Sequence, residues 1–224
     1  IKIWEGHGMA VIREGGILVH AVSGAPEGVA RQGSHRHLDM LSVSISINGE
    51  EVVSDSGTGL YFGSEEWRGY FRGEEVRSGI RSSSSKWGGL SGLFEITRPP
   101  LGHCIQDEDK LIISAFHPLG FEQSRVISIE DGEISIESKL EIPEPIISYI
   151  FVSRPEIQTV GDETFLTNGK WSMMHTGTNF SIKEGSDFFP VHSSGPEDGG
   201  SIISPGYGQY RQSYRDSGHY KILP

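Results

Sequence analysis

Thiols are almost missing from this sequence: Cys104 is the one cysteine among 224 residues. That excludes an internal disulfide and a thiolate metal cluster. No apolar run is long enough to span a bilayer. Positive charge is scarce, with 19 Lys and Arg against 30 Asp and Glu, a formal net charge of −11. Such a chain is a poor match for bulk attraction to DNA, RNA or an anionic membrane. Helical periodicity beyond a few turns, internal repeats and obvious linkers are also absent. The pattern starts abruptly at IKIW, without an initiator methionine or a visible signal peptide, so a fragment or processed form is expected.

What remains is glycine, 30 residues of it, and short alternating segments. Residues 9–22 read as two strands around Glu14-Gly15-Gly16, and 25–34 as loop. Residues 41–57 form the clearest hairpin: Leu41, Val43, Ile45 and Ile47 alternate with serines, and Asn48-Gly49 marks the turn. Further strands are predicted over 93–98, 110–116, 125–142 (turning at Asp131-Gly132), 146–153, 164–175 and 179–185. One domain over 1–224 is expected, an all-β antiparallel sandwich with few or no helices and a sizeable core.

Residues 59–92 break the rhythm. They are aromatic and arginine-rich, then rich in serine and glycine, with a helical turn predicted near Glu65–Tyr70. Long excursions from a compact domain often carry function. Arg68, Arg72, Arg77 and Arg81 form a cluster suited to pairing bidentately with carboxylates or sulfates. The alternative is that they neutralise Glu65, Glu66, Glu74 and Glu75. Tyr61, Trp67 and Tyr70 are candidates to stack on sugar rings, or to anchor the excursion to the sandwich.

The segment SHRHLDML (34–41) places His35, His37 and Asp39 two residues apart. On an unbroken strand they share one face with Leu41, Val43, Ile45 and Ile47. Two imidazoles and a carboxylate at a core-facing strand end need a metal, a substrate or a hydrogen-bond network as partner. A solvated strand end is the plain alternative for His35. Asp55 lies across the hairpin. With a two-residue turn it faces position 42, on the wrong side; one extra residue or a bulge brings it opposite 43 and onto the histidine side.

With its neighbours, the segment resembles the heparinase II/III-like family of polysaccharide lyases. The matching stretches are GSHRHLDMLS (33–42), DSGTGLYF (55–62), WRGYFR (67–72) and SPGYG (204–208), in the family's order. The resemblance implies a supersandwich-like β domain, normally preceded by an α/α toroid of the same full-length chain, with the active cleft between them. It implies an acidic polysaccharide as partner, β-elimination beside a uronic acid, and the periplasm or cell envelope of a bacterium as location. It gives His35 a catalytic role and makes His37 and Asp55 metal ligands, often for zinc. Among the cluster, Arg68, Arg72, Arg77, Trp67 and Tyr70 are the candidate substrate-binding residues.

One departure changes the metal expectation. After YFR the family usually reads close to T.AHNTV, and that histidine completes the metal site. Here the nearest alignment puts Arg77 at the histidine and Ser78 at the asparagine. Zinc takes three or four protein ligands, and a guanidinium is not one of them. His103, His117 or His175 would have to substitute through the fold. The preferred reading has no cofactor: Arg77 pairs with Asp55 and stands in for the metal. Tyr207 and Cys104 are read as packed side chains.

Overall fold

Alternation builds the sheets. In the strand Ile17–Val22, Ile17, Val19 and Ala21 are buried while Leu18, His20 and Val22 are half-buried. The same period-two pattern buries Leu111, Ile113 and Ala115 in Lys110–Phe116. The computed structural model describes residues 1–24, 36–59, 61, 64–98, 100–152, 156–160, 163–167, 170, 172–175, 178–184, 202–203, 211–212 and 214–219.

In chain order the elements are β1 (Lys2–Trp4), β2 (Met9–Glu14), β3 (Ile17–Val22), β4 (Ser42–Ile47), β5 (Glu50–Ser54), α1 (Glu65–Arg72), β6 (Ile80–Ser82), β7 (Gly89–Ser91), β8 (Glu95–Thr97) and β9 (Leu101–Asp107). There follow β10 (Lys110–Phe116), β11 (Glu122–Glu130), β12 (Glu133–Lys139), β13 (Pro145–Phe151), β14 (Glu156–Val160), β15 (Glu163–Thr167), β16 (Ser172–His175), β17 (Thr178–Glu184), β18 (Ile202–Ile203), β19 (Arg211–Gln212) and β20 (Tyr214–His219). The larger sheet runs β1-β2-β3-β4-β5-β13-β20-β17, with β6 also on β13; the smaller runs β12-β11-β10-β9. Their pairings are antiparallel. Ala10, Ile12, Val19, Val43, Ile45 and Val53 of the first sheet share one core with Cys104, Leu111, Ile113, Ile127 and Ile129 of the second. The all-β sandwich expected from the sequence is therefore present. No helix among the described residues is long and apolar enough to cross a membrane.

Two details position the site. The hairpin β4–β5 pairs Ile47 with Glu50 and Ser46 with Glu51, then Ile45 with Val53, so Val52 is the extra residue of a bulge. Continued past Ser54, that register brings residue 55 opposite 43 rather than 42. The second detail corrects an expectation. The strand is not unbroken through 35–47: Leu41 is left-handed (φ 54), the Ser42 N–H donates to the Asp39 carbonyl at 3.2 Å, and β4 begins only at Ser42. Shared parity therefore does not carry His37 and Asp39 onto the face of Val43 and Ile45; a turn does the placing.

The helix α1 replaces the predicted helical turn and is one turn longer at most. Ser64 caps it, its Oγ accepting the Trp67 N–H at 3.3 Å. β9 escapes sequence reading because LGHCIQD carries only one β-branched residue. His35, the loop at 25–34, SPGYG and Tyr207 lie outside the described residues.

Candidate functional site

The bulge, the Leu41 turn and the chain after α1 meet at one rim of the sandwich. Leu38 N–H donates to the Arg72 carbonyl at 2.8 Å, fastening the histidine segment to the end of α1. Val43 N–H donates to the Ser78 carbonyl at 2.9 Å, and Ser78 Oγ donates to the Ser54 carbonyl at 2.8 Å. Three stretches far apart in sequence are thus tied within a few bonds of His37, Asp55 and Arg77.

Arg77 and Asp55 form the centre. Arg77 Nη1 lies 2.5 Å from Asp55 Oδ1 and 2.6 Å from Oδ2, and Oδ1 also accepts the Gly57 N–H at 2.7 Å. Arg77 donates further to the Phe71 carbonyl, and through Nε to the Gly73 carbonyl at 3.3 Å. The guanidinium is buried at 1% exposure, while the Asp55 side chain is 37% exposed. The pair therefore shows its carboxylate edge outward and anchors its cation in the protein.

Ionisation follows from that arrangement. Burial pushes Asp55 up, but the Arg77 guanidinium, His37 and the hydrogen bonds from Arg77 and Gly57 outweigh it, and the net shift is downward. His37 falls to about 3, first through burial and then through the charge of Arg77, against a weaker pull from Asp55. Asp39 rises to about 6 through burial, opposed by Arg77. His20, half-buried on β3, is lowered by burial while Asp55 acts to raise it. At neutral pH the rim presents a neutral imidazole at His37 beside a fixed cation–carboxylate pair. Such a set can donate or accept a hydrogen bond at the imidazole and accept one at the carboxylate edge.

The other candidates are placed differently from a sugar-facing cluster. Trp67, Arg68 and Arg72 are buried at 2%, 1% and 0% exposure. Arg72 donates to the carbonyls of Leu93 (2.8 Å), Glu95 (3.3 Å) and Arg36 (3.3 Å). Arg68 donates to the Leu93 carbonyl at 3.4 Å and lies 4.6 Å from the Tyr61 ring centroid. Trp67 stacks on Phe71 at 6.3 Å and meets half-buried Tyr70 edge-on at 5.6 Å. In place of a saccharide-facing cluster, these side chains anchor the excursion, because its irregular backbone leaves carbonyls that need donors.

The described residues do not fit zinc. Both Asp55 oxygens already face a guanidinium, and among the described residues no three His, Cys, Asp or Glu side chains gather as a metal site. The sequence reading placed Asp39 in a trio with His35 and His37 that needs a partner, and did not single out His20 or Arg125. Arg125 had a signal: it shares inward parity with Ile127 and Ile129 on β11.

The sequence family described as heparinase II/III-like, C-terminal, matches residues 5–213. Solved structures similar in fold include the heparinase III BT4657 gene product, with a TM-score of 0.63, 14% identity, and coverage of 98% of this chain and 33% of that one. The heparan sulfate lyase HepC from Pedobacter heparinus gives 0.62 and 12%, with 97% and 33% covered. A further heparinase III gives 0.57 and 13%, with 98% and 34% covered. The chain thus spans about a third of the length of these structures. The sequence matches no curated protein.

Proposed function

Because the chain belongs to the heparinase II/III-like C-terminal family, we propose that it is the sandwich part of a polysaccharide lyase acting on a uronic-acid-containing acidic polysaccharide. The observation that supports this best is the meeting at one rim of the motif residues His37 and Asp55 with Arg77, which stands at the motif's histidine position, although they come from three separate stretches. An α/α toroid of the same full-length chain closes the cleft over that rim and supplies the phenolic acid/base.

In the reaction a base removes the C5 proton next to the uronate carboxylate. The electron pair forms the C4–C5 double bond, the C4–O bond breaks, and the departing oxygen takes a proton. Negative charge grows on the carboxylate as the C5 proton leaves, so a site that neutralises it there lowers the barrier. His35 contributes as base or donor, the roles an imidazole can fill near neutral pH. His37, neutral and half-buried, donates a hydrogen bond to the substrate. Arg77, locked on Asp55, holds a permanent positive charge at the rim and pins the bulged hairpin against the chain after α1. It replaces a divalent ion in the second of these roles.

The second reading is a glycan-binding protein on the same scaffold that no longer cleaves. The occupation of both Asp55 oxygens by Arg77 favours it. One assay separates the two. Full-length protein is incubated with a panel of uronate polysaccharides, and unsaturated uronate is followed by ultraviolet absorbance. Product that disappears in His35→Ala supports the lyase. Retention on a glycan array without product supports the binding protein. Neither product nor retention defeats both.

A further inference from the structure

A second feature lies against Leu38, the residue after His37. Ser85, Lys86, Gly88, Arg98, Pro118 and Leu119 line a cavity of about 230 Å³. Gly88 backs onto Leu38: a Cβ there would come 3.1 Å from Leu38 Cδ2 and 3.2 Å from the Arg98 carbonyl. The cavity therefore shares a wall with the histidine segment.

Its lining is cationic in a chain of net charge −11. Lys86 and Arg98 form no ion pair among the described residues. Glu74 feels the charge of Lys86, but its carboxylate already accepts the Trp87 N–H at 3.1 Å. Ser85 Oγ is buried and has no hydrogen-bond partner among the described residues. A buried hydroxyl without a partner is costly. Arg98 sits in the left-handed region (φ 53), a conformation that non-glycine residues avoid and that concentrates at ligand sites.

Hydrogen bonds brace the backbone behind the cavity. Ser82 Oγ accepts the N–H groups of Ser84 and Ser85, both at 3.2 Å, and donates to the Pro143 carbonyl at 2.6 Å. Trp87, fully buried, donates through Nε1 to the Ile80 carbonyl at 2.7 Å. Pro118 and Leu119, the latter 61% exposed, give one apolar side. Two cations and an apolar wall suit an anionic group carried on a sugar ring, with the ring's C–H face on Leu119.

We propose that this cavity is a separate anion site that takes the carboxylate or sulfate of an acidic sugar. That the anion is a sugar's rests on the reading above; that an anion binds here does not. Calorimetry on the full-length protein at constant ionic strength tests it, with sulfate and glucuronate as probes, glucose as the neutral control and chloride as the background salt. A saturable site for sulfate, glucuronate or both is expected, weakened about tenfold in Lys86→Gln/Arg98→Gln. These exposed substitutions leave folding intact, which the unchanged melting temperature checks. Sulfate alone identifies a sulfated sugar and glucuronate alone a uronate. Unchanged affinity in the double variant, or equal competition by chloride (an adventitious ion only), overturns the proposal. If cleavage persists while this site fails, only this inference falls. If the site binds and no polysaccharide is cleaved, the lyase reading falls and the site stands.

Discussion

Arg77 places one guanidinium nitrogen against both carboxylate oxygens of Asp55, at 2.5 and 2.6 Å, across 22 residues of sequence. A cation bonded to both oxygens takes the place a divalent ion would occupy between them, and it is tethered by two backbone carbonyls besides.

Metal removal is therefore expected to have no effect. Chelator leaves the melting temperature and glycan binding unchanged, and elemental analysis of protein purified without chelator finds no stoichiometric zinc. Arg77→His should reverse this by supplying an imidazole beside Asp55 and His37, so that added zinc raises its melting temperature. Arg77→Ala should lower stability by about 2–3 kcal/mol, the low end for a broken pair because Asp55 is partly exposed. Stoichiometric zinc in the native protein, or loss of stability on chelation, defeats the pairing as a metal substitute.

Sequence and structure agree where side-chain alternation decides the outcome and part where backbone needs decide it. The strands β3, β4, β10 and β11 follow the pattern of Val, Ile and Leu, so the two-layer class was readable. The bulge at Val52 was readable only as a condition for Asp55 to reach the histidine side. The turn at Leu41 left no trace, because leucine has no preference for positive φ; a donor from the other sheet holds it. Arg68 and Arg72 read as partners for sugar anions or for neighbouring glutamates, and Arg77 as the partner of Asp55. Arg68, Arg72 and Arg77 are interior because the carbonyls of Phe71, Leu93 and Glu95 lack regular partners and a guanidinium supplies several donors at once.

The pH dependence of stability should reveal two opposed groups. His37 has a folded pKa near 3 against an ordinary 6.5. Its contribution is complete above 6.5 and is lost as the pH falls toward 3. Asp39 has a folded pKa near 6 against an ordinary 3.8. Its contribution is complete below 3.8 and is lost as the pH rises through 6. Between pH 4 and 6 the slopes oppose each other. Denaturant titrations should show stability rising more steeply with pH in Asp39→Asn than in the native protein, and less steeply in His37→Gln. Parallel profiles for all three proteins would show that neither group is perturbed.

Gly59 tests the D-x-G-T-G stretch. It sits at φ 66, and a Cβ there would lie 2.3 Å from Phe71 Cδ2 on the fully buried side of α1. Gly59→Ala combines left-handed strain with overpacking and should cost about 2–4 kcal/mol. Gly49→Ala has a similar positive φ of 81 but open space around it, so about 1 kcal/mol is expected. Equal losses measured by urea unfolding would mean that Phe71 yields and that contact with α1 does not fix the stretch.

Arg125 provides the most demanding test, because it reaches the rim from the opposite sheet. It continues the inward stripe of β11, is fully buried, and donates through Nη1 to the Leu41 carbonyl at 2.8 Å. Its guanidinium lies 5.5 Å from the Tyr149 ring centroid, and it forms no ion pair among the described residues. Removing a buried cation without a counter-ion relieves desolvation, whereas the Leu41 and Ser78 carbonyls lose a donor. In Arg125→Met these effects offset, and global stability should move by less than about 2 kcal/mol. The Leu41 turn loses its clamp, so the amides of Ser42 and Val43 should exchange with solvent faster and the His37 pKa should rise toward its ordinary value. Arg125→Lys, which keeps one donor and the charge, should restore part of both. A large global loss with unchanged exchange at Ser42 and Val43 would reduce Arg125 to a packing residue.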